Sequence, residues 1–282
     1  MIATDRFCLN RKAAPGISLS ETIPAVAKLG LKSIEVRNDL YGAPDNKSIL
    51  DHMTSDDVKK LLTDNNVHIE TINAIGNMDN RQMIDENLAS LKEMLEMTKG
   101  LNLGKIIFCP VRSTEDHRSS TQRQADAVAN VRDYSKLLKQ YNVDGLIEPL
   151  GFTDSTLRTP WEGQKVIDEA GVDNFTLVAD TFHYYLAGVT PQQFNDKVNV
   201  NYIGLVHLSA VMGSKAREAL DDQDRYMLDP KDIMKSADWA KIIEAAGYQG
   251  LYAFEPFSDD LKQWDLTKVK SELLNSVKLV QS

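Results

Sequence analysis

The sequence predicts a closed (β/α)8 barrel, the TIM-barrel fold, and three observations carry that expectation. Eight short apolar runs alternate with longer amphipathic stretches along the 282 residues. Strands alternating with helices pair in parallel through right-handed crossovers, and eight such units in a chain of this length suit a closed barrel. The segment after the first run, CLNRKAAPG, lacks the G-x-G-x-x-G turn that a doubly wound open sheet would place there. Four of the runs also end on a side chain able to bind a metal, and barrel strands carry their chemistry at that end.

The elements follow in order. RFCLN is the first expected strand; Ser18 with Glu21 forms a capping-box pattern, and Gly30 stops a helix bearing Ile23, Val26, Ala27 and Leu29. SIEVR is the second strand, followed by a helix from about Ser55 with Val58, Leu61 and Leu62 on one face. VHIETIN is the third. Leu88, Leu91 and Leu95, spaced by three and four, mark a helix over 82–99 that ends at Gly100. KIIFCP precedes a helix over 119–140, VDGLIE one over about 160–170, and FTLVAD one near 191–199. YIGLVHL leads into a long polar insertion and a helix at about 237–246. GLYAFE is the eighth strand, and Leu266, Val269, Leu273, Val277 and Val280 mark the closing helix. No linker, low-complexity tract or short-period repeat interrupts the pattern, so 1–282 reads as a single barrel domain.

Composition narrows the function. A formal net charge of −9 with scattered Lys and Arg argues against a nucleic-acid partner, which needs a basic face. No apolar run approaches the ~18 residues of a membrane span, and MIATDRFCLN shows no secretory pattern. Cys8 and Cys109 lie in apolar strand-like segments and read as buried thiols, so the expected location is the cytoplasm.

The strand ends hold the candidate chemistry. Glu148, Asp180, His207 and Glu255 close strands five to eight, which are neighbours in a barrel. Strand alternation lets all four point inward. Glu255 then shares its face with Ala253 and Leu251, Asp180 with Val178 and Thr176, and His207 with Leu205 and Ile203. Three carboxylates crowded at one mouth repel one another, and a buried unpaired charge costs several kcal/mol. A single divalent cation removes both problems. Three oxygen donors and one imidazole suit Mn, Mg, Co, Fe or Zn, and are too oxygen-rich for a structural zinc site. Asn10, Arg37, Asn73 and Arg112, at the ends of strands one to four, are candidate ligands for substrate hydroxyls. Trp161 and Phe257 are expected at the rim or in packing, and His52, His68 and His117 at the surface or in structural roles.

With these residues in view, the chain resembles the xylose-isomerase-like barrel superfamily, in its sugar phosphate isomerase and epimerase branch, and within that branch the inosose (2-keto-myo-inositol) isomerases. RFCLN, IEVR, INAI, Asn80–Arg81, GLNLGKIIFCPV, LVADTFHYYLAG, DQDRY and LYAFEPF carry the likeness, and the Asp180-x-x-His183 pair is its most specific feature. The resemblance implies that Glu148, Asp180, His207 and Glu255 hold one divalent metal, with the two glutamates on opposite sides of a sugar or cyclitol. It implies that His183 and an arginine after strand seven contact substrate oxygens. Relatives usually carry an aspartate soon after the strand-seven histidine and a Pro-Gly-x-Gly turn after that arginine. Here the segment reads HLSAVMGSKAREALDDQDRYMLDPKDIM, and either Arg225 or Arg217 could supply the arginine. Relatives include monomers, dimers and tetramers, so a homodimer or homotetramer fits.

The implied chemistry is an isomerisation or epimerisation of an α-hydroxyketone through an enediolate, with Glu148 and Glu255 as acid and base. A dehydratase of inosose or of a dehydroshikimate-type ring would share the first step. Two other classes fit less well. An abasic-site endonuclease needs many histidines and a basic groove, against five histidines here. A non-catalytic sugar-binding module would not need a base on each side of its ligand.

Overall fold

The computed structural model describes residues 1–282. Eight parallel strands close into a barrel in sequence order, with β8 returning to pair with β1. They are β1 (Phe7–Asn10), β2 (Ser33–Arg37), β3 (His68–Ile75), β4 (Lys105–Phe108), β5 (Asp144–Ile147), β6 (Phe175–Asp180), β7 (Ile203–Leu208) and β8 (Tyr252–Phe254). The surrounding helices are α1 (Leu19–Lys28), α2 (Ser55–Asn65), α3 (Ile84–Met97), α4 (Ser120–Lys139), α5 (Pro160–Ala170), α6 (Thr181–Ala187), α7 (Pro191–Lys197), α8 (Ser236–Ala245) and α9 (Leu266–Gln281).

Local signals set most of these boundaries. Thr54, Ser119, Thr190 and Asp265 accept a backbone N–H of the helix each precedes, and Gly171 and Gly188 end α5 and α6 in the left-handed conformation. Ser18 caps α1 as expected, but its hydroxyl donates to the Glu21 carboxylate, so the expected reciprocal capping box is only half formed. One helix escaped the sequence reading. TFHYYLA, rich in aromatic residues and only two turns long, is too short to show a helical period, yet it forms α6 directly off β6. Asp180 is its N-cap, accepting from the N–H groups of Phe182 and His183.

Strand alternation sorts the core into two layers. Cys8, Ile107, Leu146, Val178, Leu205 and Ala253 plug the barrel interior, while Tyr252, Phe254 and their counterparts on other strands pack outward under the helices. Two residues beyond each interior plug, on the same face, stand Asn10, Cys109, Glu148, Asp180, His207 and Glu255. On β2 and β3 the same step leads from Glu35 to Arg37 and from Thr71 to Asn73. The mouth is therefore a ring of polar residues seated directly on the apolar plug.

One expected partner is misplaced by a bulge. The β6–β7 register jumps from Leu177↔Ile203 to Val178↔Leu205, so Ile203 joins the outer layer rather than sharing the inner face with His207. Gly204 is the extra residue, and a Cβ there would lie 2.1 Å from Thr176 Oγ1 and 2.6 Å from Leu146 Cδ2. The polar insertion after β7 folds across the mouth: Ala210 pairs with Tyr226, and the Arg225 carbonyl accepts the N–H groups of Phe257 and Ser258.

Gly204→Ala is expected to lower stability by about 1–3 kcal/mol through this overpacking, as measured by urea unfolding.

Candidate metal centre

Glu148, Asp180, His207 and Glu255 each bring one potential ligand atom to within 4.8 Å of the others, and all four are buried. Their common focus is His207 Nδ1, which lies 3.0 Å from Glu148 Oε1, 3.0 Å from Glu255 Oε2 and 3.8 Å from Asp180 Oδ2. Asp180 divides its two oxygens. Oδ1 caps α6, while Oδ2 faces the cluster and accepts from Arg225 Nη2 at 2.7 Å. One carboxylate oxygen thus caps a helix while the other faces the candidate metal centre.

The two glutamates sit in contrasting surroundings. Glu255 Oε1 accepts from Asn10 Nδ2 at 3.2 Å, Arg37 Nη1 at 2.6 Å and Asn73 Nδ2 at 2.9 Å. Its Oε2 meets Arg225 Nη2 at 2.7 Å. Burial works against its charge, but His207, Arg225 and Arg37 hold it well below the usual carboxylate range. Glu148 has no arginine partner; His207 meets Oε1, and the Cys109 thiol lies 3.6 Å from Oε2. Burial pushes its carboxyl up to about 7, with His207 opposing and Glu255 adding to the rise. Burial also disfavours the charged form of His207, yet Glu255, Glu35 and Glu148 raise its pKa well above the ordinary value. His183 is lowered chiefly by burial, with Asp180 opposing and Arg225 adding, so it is a neutral imidazole. Its Nδ1 is buried without a partner.

Above the cluster lies a cavity of about 150 Å³. Arg37, Asn73, Arg112, His183, Arg225 and both glutamates line it, so the barrel gathers most of the expected site. Asn10 stands behind Glu255 rather than on the cavity wall, with its side-chain oxygen accepting the Lys12 N–H. Arg225 is the cavity arginine after β7; Arg217 instead lies over the Tyr185 ring at 4.6 Å. Cys109, expected to be buried, is half-exposed and borders the cavity, because it sits one step beyond the last interior plug of β4. Phe257 forms part of the wall with the Arg37 and Arg225 guanidinium groups over its ring, whereas Trp161 packs against the outer core.

Four further residues were absent from the sequence reading. Leu150 and Phe152 line the cavity from the loop after β5, and Arg112 lies 3.5 Å from the Phe152 ring centre. Asp222, in the insertion, lies 3.5 Å from Arg225 Nη1 and 3.9 Å from Arg112 Nη1. Nothing in the surrounding loop sequence marks Leu150 or Phe152, whereas Asp222 opens the DQDRY segment that carries part of the family resemblance. Glu35 had a usable signal: it shares the inner face of β2 with Arg37, so strand parity alone points it into the barrel. There it meets His207 Nε2 at 3.1 Å.

Fold and site together define a class: a TIM barrel with an oxygen-rich candidate site for a divalent cation at the C-terminal mouth of its strands. The chain belongs to the xylose isomerase-like TIM barrel family, whose family model matches residues 23–277. It is 24% identical over 261 residues to a curated inosose isomerase of Halalkalibacterium halodurans, a match covering 92% of this chain and 90% of that protein. The crystal structure of a xylose isomerase domain-containing protein from Salmonella typhimurium is 33% identical and superposes with a TM-score of 0.92, covering 100% of this chain and 99% of the other. A crystal structure of the IolI protein with a bound zinc atom, 18% identical, has the same fold at a TM-score of 0.87 over 98% of both chains.

The contrast between the glutamates has a measurable consequence. Glu148 holds its proton up to about pH 7 in the fold but only to about 4.5 in the unfolded chain. Its neutral form therefore stabilises the fold at low pH, and that contribution is lost as pH rises through about 7. Glu148→Gln imitates the neutral acid at every pH. In chelator-treated protein it should gain stability over the parent as pH rises from about 4.5 to about 7, as read from urea unfolding at a series of pH values. A pH-independent difference would contradict the assignment.

Proposed function

We propose that this protein is a divalent-metal-dependent isomerase or epimerase of an α-hydroxyketone sugar or cyclitol, with an inosose as the leading substrate. The observation that carries the reading is the convergence of three carboxylates and one imidazole nitrogen within 4.8 Å beneath a small polar cavity. Family membership and the likeness to an inosose isomerase support it. Glu148, Asp180, His207 and Glu255 fit a divalent cation by the chemistry of the donors, three carboxylates and one imidazole at one focus. When bound, the ion (Mn, Mg, Co or Zn) supplies Lewis acidity toward the adjacent oxygens of an α-hydroxyketone.

The chain's own residues do the rest. Glu148 is the group that takes the substrate proton. Its Oε2 has no cationic partner and only the Cys109 thiol nearby, so it is the freer of the two glutamates to accept a proton. Glu255, gripped by Arg37, Asn73, Asn10 and Arg225, stays ionised and is the weaker base. It completes the acid/base pair on its own side of the substrate. Return of the proton by Glu148 to the neighbouring carbon, with the hydroxyl proton passing to the former carbonyl oxygen, gives isomerisation, which this asymmetry favours. Neutral His183 offers a hydrogen bond to the oxygen on which negative charge develops.

The cavity also speaks to substrate charge. Arg37 pairs with Asp39 and Glu255, Arg112 with Asp154, and Arg225 with Asp180, Glu255 and Asp222. No lining cation is left over for a phosphate or carboxylate, so the reading is of an uncharged polyol ketone. This pairing supports inosose over sugar phosphates and dehydroshikimate-type acids.

The test is exchange of the inosose α-proton in deuterated water, followed by NMR with Mn, Co, Mg or Zn present. Exchange should require the metal and stop on chelation. Glu148→Gln and Glu255→Gln should each slow it by at least about 100-fold while the fold survives. A ketose phosphate and 3-dehydroshikimate should show no exchange under the same conditions. Metal-independent exchange, or a Glu148→Gln variant turning over near the parent rate, would overturn the mechanism. Growth of an enone absorbance would replace the isomerase with a dehydratase.

A further inference from the structure

Glu35 is a carboxylate with no exposure in the barrel interior, and its one ion-pair contact is the His207 ring. Burying such a group costs several kcal/mol unless a specific partner compensates. Its oxygens are used unequally. Oε2 meets His207 Nε2 at 3.1 Å and accepts the Thr71 hydroxyl at 2.5 Å, while Oε1 has no partner. Every polar contact of the carboxylate thus fixes the one oxygen that faces His207. Glu35 reaches the ring from β2, across the lumen from β7 and 172 residues away in sequence. The opposite ring nitrogen, Nδ1, is the one that faces Glu148, Asp180 and Glu255.

We propose that Glu35 is a positioning residue for the metal centre: by accepting the Nε2 proton of His207 it selects the tautomer and ring orientation that present Nδ1 to the ion. The proposal rests on the metal reading above, but not on the substrate or the reaction. An imidazole ligand needs its second nitrogen engaged by an acceptor to hold one tautomer, and loss of that acceptor weakens metal binding about 10–100-fold. An apolar residue in place of Glu35 would pack as well in the plug and leave Nε2–H unpaired, whichever face of the ring then turned to the site.

Calorimetric titration of chelator-treated protein with MnCl2 and ZnCl2 measures the effect without any substrate. Glu35→Leu is expected to bind each ion about 10–100-fold more weakly than the parent. Glu35→Gln, whose amide oxygen still accepts a hydrogen bond, is expected to fall between the two. Parent-like affinity in folded Glu35→Leu would overturn the proposal. The unmutated protein supplies an independent arm should that variant fail to fold. In the 15N NMR spectrum of zinc-loaded parent, His207 is expected to show a protonated Nε2 and a metal-bound Nδ1, and the reverse pattern would overturn the assignment. If the parent binds neither ion, the metal reading fails and this inference falls with it. If the parent binds and Glu35→Leu binds equally well, only this inference fails.

Discussion

Crowding of buried negative charge around one imidazole is the constraint to which the rest of the mouth answers. Glu148, Asp180 and Glu255 lie within reach of His207 Nδ1, and Glu35 reaches its other nitrogen. Left alone, such a cluster would lift the carboxyl pKa values or force the mouth open. The protein answers with two buried arginines. Arg225 joins Asp180 to Glu255, and Arg37 reaches Glu255 from the far side of β1. Because both arginines act on Glu255, the charge is balanced unevenly. Glu255 is clamped in its ionised form and Glu148 is left to titrate near neutrality. Two chemically identical side chains thus end up in opposite electrostatic surroundings.

Asp180 shows how closely folding and site are joined. Its backbone ends β6, one carboxylate oxygen starts α6, and the other faces the cluster. The cap fixes the side-chain rotamer and holds the donor oxygen in place. His183, one turn into the same helix, is thereby fixed on the cavity wall, with its Nδ1 buried and unpartnered. The D-x-x-H spacing is therefore the spacing between an N-cap and the first residues of a helix, and it explains why an apolar strand ends on a carboxylate.

The insertion after β7 closes the site from above. It carries Arg225 and Asp222 and is tied down through the Arg225 carbonyl to Phe257 and Ser258. Asp222 then lies between Arg225 and Arg112, joining the loops after β4 and β7 over the cavity. With every lining arginine paired, the site offers neutral hydroxyls a dense field of donors without a free cation.

The alternation of strands and helices, most of the caps and stops, and the parity that turns Glu148, Asp180, His207 and Glu255 inward are all legible in the order of residues. These are local properties. A period of two along a strand, or a serine before a helix, is written in consecutive residues and needs no partner elsewhere. Local reading fell short where chemistry met a short element. The seven residues of TFHYYLA are too few to show a helical period, and the Gly204 bulge shifts Ile203 to the other layer without a mark in the apolar pattern. Closure of the barrel settles which arginine enters the cavity, that Asn10 braces Glu255, that Cys109 borders the cavity, and that Glu35 faces His207. Those pairings join strands on opposite sides of the lumen. The closure and stagger of the whole barrel set them, and no single segment encodes that curvature.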